Sequence, residues 1–266
     1  MNELKRKKIL GIWFIIGVGM LLGQIILGGI TRLTGSGLSI TEWKAILGAL
    51  PPLNEQDWNT AFIKYQQFGQ YKLVNTAMSL QQFKHIYFWE WFHRLWARLI
   101  AVAALFPLLY FIYKKIVFKE DIIKILIAVA LGGVAGAVGW IMVQSGLKQD
   151  TVLVNPVNLM THILVATIIV IYVLRIGLEY LYPKIHTGYD KKNRSLFTFL
   201  IIVTILSGIG ELTGLLSGPG NIAHVYIGLF ILIVGLPIVV GIAKGAAYSL
   251  RSAFEEELGL ESARIA

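Results

Sequence analysis

The chemistry this chain could perform rests mainly on five histidines and a few charged side chains near them. His93, His162 and His224 each stand at the opening of a long apolar stretch, whereas His85 and His186 lie in polar connections. An ionisable group within a membrane-length segment is costly and is a functional candidate by default. Two neutral imidazoles facing each other across a helical bundle can hold a haem iron from both sides. A zinc or di-iron site would want cysteines or carboxylates beside them. The chain has no cysteine, and the stretch around His162 offers no carboxylate. Haem is favoured over a bare metal ion, with a hydrogen-bonded interfacial role open for each histidine. Ala97 and Ala166 each follow a histidine by four residues, on its own helical face, where a porphyrin needs small neighbours.

Glu90 precedes His93 by three residues, so both project to one side of a helix. A carboxylate there can orient an imidazole or act as a general base on water. It can equally form an i,i+4 ion pair with Arg94, of little worth at a surface. Arg94, Arg98 and Arg32 are candidates for bidentate contact with haem propionates, or for interfacial anchoring to lipid phosphates. Glu211 is a proton-handling candidate or the mark of a helix end.

Positioning these residues requires a membrane bundle. Of 266 residues, 56% are hydrophobic and only 15% charged, against about 25% charged in soluble domains. The net charge of +9 lies mostly in short runs between apolar stretches, which is membrane topology and not a nucleic-acid footprint. A span needs roughly 20 apolar residues, and six segments qualify: about 9–30, 94–113, 122–144, 157–178, 196–216 and 222–243. The first reads as a retained helix, not a cleaved signal peptide. Basic clusters at Lys5–Lys8, Lys114–Lys124 and Lys184–Arg194 recur on one side of the spans. Both termini are therefore expected to be cytoplasmic and the odd-numbered loops external.

The long first loop, about 31–93, carries Trp43, Trp58, Trp89 and Trp91, and is expected to form an ordered element at the outer interface. Three external loops repeat one scheme, a Gly-rich or polar exit followed by a histidine, which suggests stacked helical hairpins. The expected architecture is all-α: an N-terminal four-helix bundle over 1–180, a helical pair over 181–243, and a cytoplasmic tail over 244–266.

The run Gly28-Gly29-Ile30-Thr31-Arg32-Leu33-Thr34-Gly35-Ser36-Gly37-Leu38-Ser39-Ile40-Thr41-Glu42-Trp43 resembles the first-loop signature of the haem A synthases, in the branch without a loop cysteine pair. The likeness continues through Leu50-Pro51-Pro52-Leu53, Trp89-Glu90-Trp91-Phe92-His93-Arg94-Leu95, Arg98, Gly139-Trp140-Ile141-Met142-Val143-Gln144-Ser145-Gly146-Leu147, and His162 with Ala166. The resemblance implies an oxidoreductase that converts haem O to haem A for cytochrome oxidase assembly, oxidising a porphyrin methyl to a formyl group with oxygen from water. It implies a substrate haem between His93 and His162, Glu90 as the catalytic carboxylate, and a haem B cofactor in the second half. His224 would be an axial ligand there.

Family members have eight spans and two histidines in that second half, where this chain has six expected spans and His224 alone. A second ligand would then come from another subunit or a non-histidine side chain, or the second site would stay incomplete. The implied partners are the enzyme that supplies haem O, membrane lipid and a second copy of the chain, with no nucleic acid. No transit peptide precedes the first span, which points to a bacterial inner membrane. The competing function is a non-enzymatic bis-histidine haem protein, either an electron carrier or an oxidase assembly factor.

Overall fold

The computed structural model describes residues 2–43 and 47–181. The fifth and sixth expected spans, the tail, His186, Glu211 and His224 lie outside the described residues. Within them, regular structure is entirely helical: α1 (Glu3–Leu33), a 3-10 turn (Leu47–Ala49), α2 (Glu55–Tyr65), α3 (Gly69–Leu73), α4 (Leu80–Tyr113), α5 (Lys119–Gly146) and α6 (Pro156–Leu181). Four of these, α1, α4, α5 and α6, are long and apolar enough to cross a membrane, and they coincide with the first four expected spans. The chain is an all-α, multi-pass membrane protein.

Helix boundaries follow local chemistry. Asn2 caps α1 by accepting from the backbone N–H of Lys5 at 2.9 Å. The other end closes with Gly35 at φ 64°, the Ser36 N–H reaching the Thr31 carbonyl at 2.9 Å and the Gly35 N–H reaching that of Arg32 at 3.1 Å. This is a Schellman ending, which needs a residue free to enter the left-handed region. It turns the chain back so that Ser36–Ile40 run beside α4.

α4 starts well before the expected boundary near 94, and for two reasons. Ser79 and Gln82 form a reciprocal capping box at its start. Its first turns also bury Phe83 and Ile86 against Tyr65, Trp58 and Phe62 of α2, so tertiary packing carries the helix beyond its apolar span. His85, expected in a loop, is an exposed residue of α4, and His93 sits inside the helix instead of opening it.

α1 lies between α4 and α6, and α6 packs in turn on α5, while α4 and α5 scarcely touch. Leu10, Phe14 and Val18 of α1 form one core with Phe111, Ile125, Ile169, Val173, Ile176 and Tyr180. At that end a charge is buried. Arg6 donates to Asp121 at 2.5 Å and to the Ile116 carbonyl at 3.3 Å, with its guanidinium 4.2 Å from the Phe118 ring centre. The second Asp121 oxygen accepts from the Tyr180 hydroxyl. Lipid offers no hydrogen bonds, so such a pair must be satisfied by its neighbours.

Pro107 stands inside α4 and cannot donate to the Ala103 carbonyl one turn back. Trp13 of α1 fills the gap, its indole N–H reaching that carbonyl at 3.0 Å. Replacing Trp13 by Phe should leave the carbonyl unpaired and destabilise the protein by about 1–3 kcal/mol. In a Pro107→Ala background, where the restored N–H can make the helical bond, Trp13→Phe should cost clearly less. Thermal unfolding of the four proteins in detergent measures the coupling.

Candidate functional site

At the other end of the bundle, two glycines let two histidines in. A Cβ built on Gly28 of α1 would lie 3.4 Å from Nε2 of His93 on α4. One built on Gly139 of α5 would lie 2.9 Å from Cε1 and 3.2 Å from Nδ1 of His162 on α6. A side chain at Gly139 would therefore press on the His162 ring, while a methyl at Gly28 would make ordinary contact with His93. His93 and His162 thus stand on α4 and α6, two spans that run in the same direction, each beside a glycine of a neighbouring span. The His162 Nδ1 is buried without a hydrogen-bond partner of normal geometry among the described residues, although the Ala135 backbone lies close.

Among the described residues, no group of three or more His, Asp or Glu side chains could hold a bare metal ion. What the bundle offers is a pair of nitrogens from two helices, one with an unspent lone pair or proton, which fits an iron held within a macrocycle. Ala97 is exposed and Ala166 partly buried, each one turn beyond its histidine.

Glu90 is 2% exposed and has three donors. The Ser39 hydroxyl reaches Oε2 at 2.7 Å, the Ile40 N–H reaches Oε2 at 2.8 Å, and Arg94 reaches Oε1 at 2.5 Å. Arg94 also donates to the carbonyls of Ile40 at 3.1 Å and Glu42 at 3.4 Å. The Glu90–Arg94 pair exists, but as a buried joint between the first loop and α4 and not as a surface pair. Arg98 turns back toward the loop end and donates to the Arg94 carbonyl at 2.9 Å. Arg32 lies in the last turn of α1, at the same end.

The first loop is folded down over this region. Gln70 donates to the Gly35 carbonyl at 2.9 Å, and Trp91 to the Ala49 carbonyl at 3.0 Å. The Gly69 N–H reaches the Lys148 carbonyl at 2.8 Å, in the connection between α5 and α6. A Cβ on Gly69 would be 2.4 Å from the Thr151 carbonyl oxygen, so backbone crosses backbone there. Burial pushes the Tyr65 phenol above its ordinary pKa, keeping it a neutral donor to Gln70 at 3.0 Å.

The structure thus brings His93 and His162 together and sets Glu90 with Arg94, while His224 lies outside the described residues. Sequence reasoning missed Ser39 and Ile40 as the partners of Glu90, because nothing in their types distinguishes them from other loop residues. It also passed over Gln24, whose presence as an amide within an apolar span was the available signal.

The COX15-CtaA family, described as cytochrome oxidase assembly protein, matches residues 11–217. Proteins called heme A synthase are similar to the chain. The one from Rhodospirillum centenum is 45% identical over 176 residues, 66% of this chain and 47% of the relative. That from Nitrosomonas eutropha is 39% identical over 216 residues, 79% of this chain and 60% of the relative. That from Rhodopseudomonas palustris is 47% identical over 158 residues, 59% of this chain and 42% of the relative. The chain therefore spans about half the length of the relatives it matches. No solved structure matches it.

Glu90→Ala should strand Arg94 without its carboxylate and release Ser39 and Ile40, at a cost of about 3–5 kcal/mol. Thermal unfolding, with limited proteolysis between α1 and α2 as the local readout, measures both effects. Gly139→Ala should destabilise by about 1–3 kcal/mol, because the added methyl meets the His162 ring. Gly133→Ala, whose added Cβ meets nothing within 4 Å, should be neutral or stabilising in the same assay.

Proposed function

Because the chain belongs to the cytochrome oxidase assembly protein family, we propose that it acts as a haem A synthase, an oxidoreductase that oxidises a methyl group of haem O to the formyl group of haem A. The observation that carries this reading is the His93–His162 pair. Two imidazoles from α4 and α6 approach each other between backbones cut back to glycine at Gly28 and Gly139. In this reading they are the axial ligands of the substrate haem, with Ala97 and Ala166 leaving room for its plane. Arg32 and Arg98 supply positive charge on the loop side, where the propionates belong, while Arg94 is committed to Glu90.

Glu90 is the proposed proton-handling group. A carboxylate has about four lone-pair sites, and the three donors named above leave capacity for one more. A water held there would be oriented by a carboxylate that is itself fixed by Ser39, Ile40 and Arg94, so the base would need no rearrangement to act. The burial of Glu90 and the folded first loop would keep bulk water out of the reaction. A haem B, with His224 as one ligand in the part of the chain beyond 180, would supply the route by which electrons leave the substrate. We place the loop end on the outer side of a bacterial cytoplasmic membrane, where the enzyme that makes haem O and a second copy of this chain are the natural partners.

The test is haem extraction and mass analysis of the full chain, expressed in cells that make haem O. Haem A or its alcohol precursor should accompany the wild-type protein. His93→Ala and His162→Ala should each lose the bound substrate haem. Glu90→Gln should keep the haem but lose the formyl product by about 100-fold or more, the scale of general base catalysis. Haem retained without any oxidised product, unchanged by Glu90→Gln, would instead favour a haem carrier.

A further inference from the structure

Gln24 is the polar residue of α1 that nothing described so far uses. Leu10, Gly17, Gln24 and Thr31 recur every seven residues and so share one helical face. Leu10 and Thr31 on that face are buried, and a Cβ built on Gly17 would lie 3.7 Å from Val173 of α6, so the face looks into the bundle. The Gln24 Oε1 is buried and has no hydrogen-bond partner among the described residues. An unsatisfied acceptor at membrane depth is costly, and it persists where a ligand completes it.

Its level is fixed by two contacts. A Cβ on Gly28, one turn nearer the loop end, would lie 3.4 Å from His93, and one on Gly23 would lie 3.2 Å from the Trp96 ring. The Trp96 indole donates to the Met20 carbonyl at 2.8 Å. Since α1 and α4 run antiparallel, Gln24 stands beside the turn of α4 that runs from His93 to Ala97. A macrocycle seated on His93 with its propionates toward Arg32, and toward Arg98, which turns back to the loop end, sets its opposite edge at this depth. On haem O that edge carries a hydroxyethyl group bearing the isoprenoid tail. On haem B it carries a vinyl group, which has no donor.

We infer that Gln24 is a substrate-selecting residue: its Oε1 accepts a hydrogen bond from the hydroxyl at the root of the isoprenoid tail, so that haem O is chosen over haem B. This rests on the proposed haem site. The tail itself, being apolar, needs only hydrocarbon, whereas the hydroxyl needs an acceptor. A pocket that leaves its own acceptor unpaired rejects an analogue lacking the hydroxyl more strongly than shape alone allows.

The test titrates three ligands into the full chain in detergent, followed by Soret absorbance. They are haem O, haem B, and a deoxy analogue that keeps the isoprenoid tail but has hydrogen in place of the hydroxyl. Wild type should bind haem O on the order of tenfold more tightly than the deoxy analogue. Gln24→Met, of similar volume, should bring the two within about twofold and bind haem B at least as well as wild type. Equal binding of haem O and the deoxy analogue by wild type would overturn the inference. So would a gap that survives in Gln24→Met. Should Gln24→Met not fold, the wild-type comparison of haem O with its deoxy analogue decides alone. A wild-type protein that binds none of the three overturns the haem reading itself, which separates the two failures.

Discussion

The arrangement at the loop end depends on one buried carboxylate. Glu90 sits on α4 at 2% exposure, and both its oxygens are committed to groups outside its own turn or to Arg94. A charge at that depth is tolerable only because its donors are prearranged. Ser39 and Ile40 can reach it only because α1 ends in a Schellman turn at Gly35 that reverses the chain. The sign of the interaction matters as much as its geometry. Arg94 neutralises Glu90 and, with its remaining N–H groups, binds the Ile40 and Glu42 carbonyls. One ion pair thereby holds a stretch of loop that has no helix of its own.

The bundle has a second buried pair at its far end, Arg6 with Asp121, and the two ends contrast. Around Asp121 the aromatic and aliphatic side chains of all four spans close into one core. Beside His93 and His162 the neighbouring positions are Gly28 and Gly139. Tight packing at one end anchors all four described spans against one another. A bundle pinned this way can hold space in its upper half without losing the rigidity of its lower half.

Much of this was legible in the sequence. The four described spans follow from runs of apolar residues, and the placing of His93 and His162 on α4 and α6 follows from the second and fourth of those runs. The extension of α4 back to Leu80 was not legible, because Leu80–Phe92 lacks a membrane-length apolar pattern. It is held by the capping box and by the aromatic cluster with α2, whose partners are distant in sequence. The state of Glu90 was half legible. Spacing predicts Arg94 as its partner, but burial is set by the first loop, and no local pattern reports that Ser39 will fold onto it. The Trp13 bond to Ala103 was hidden for a similar reason: Pro107 announces a missing donor, and only the packing of α1 on α4 says who replaces it.

The crossing of Gly69 over Lys148 and Thr151 sets an order of assembly. The first loop is made early in synthesis, but its seat lies in the connection between α5 and α6 and does not exist until α5 has been inserted. Until then the strap can pack on α1 and α4, but its crossing at Gly69 cannot form. Newly made chains therefore pass through a stage in which this crossing is still open, and it is completed only when the second hairpin arrives.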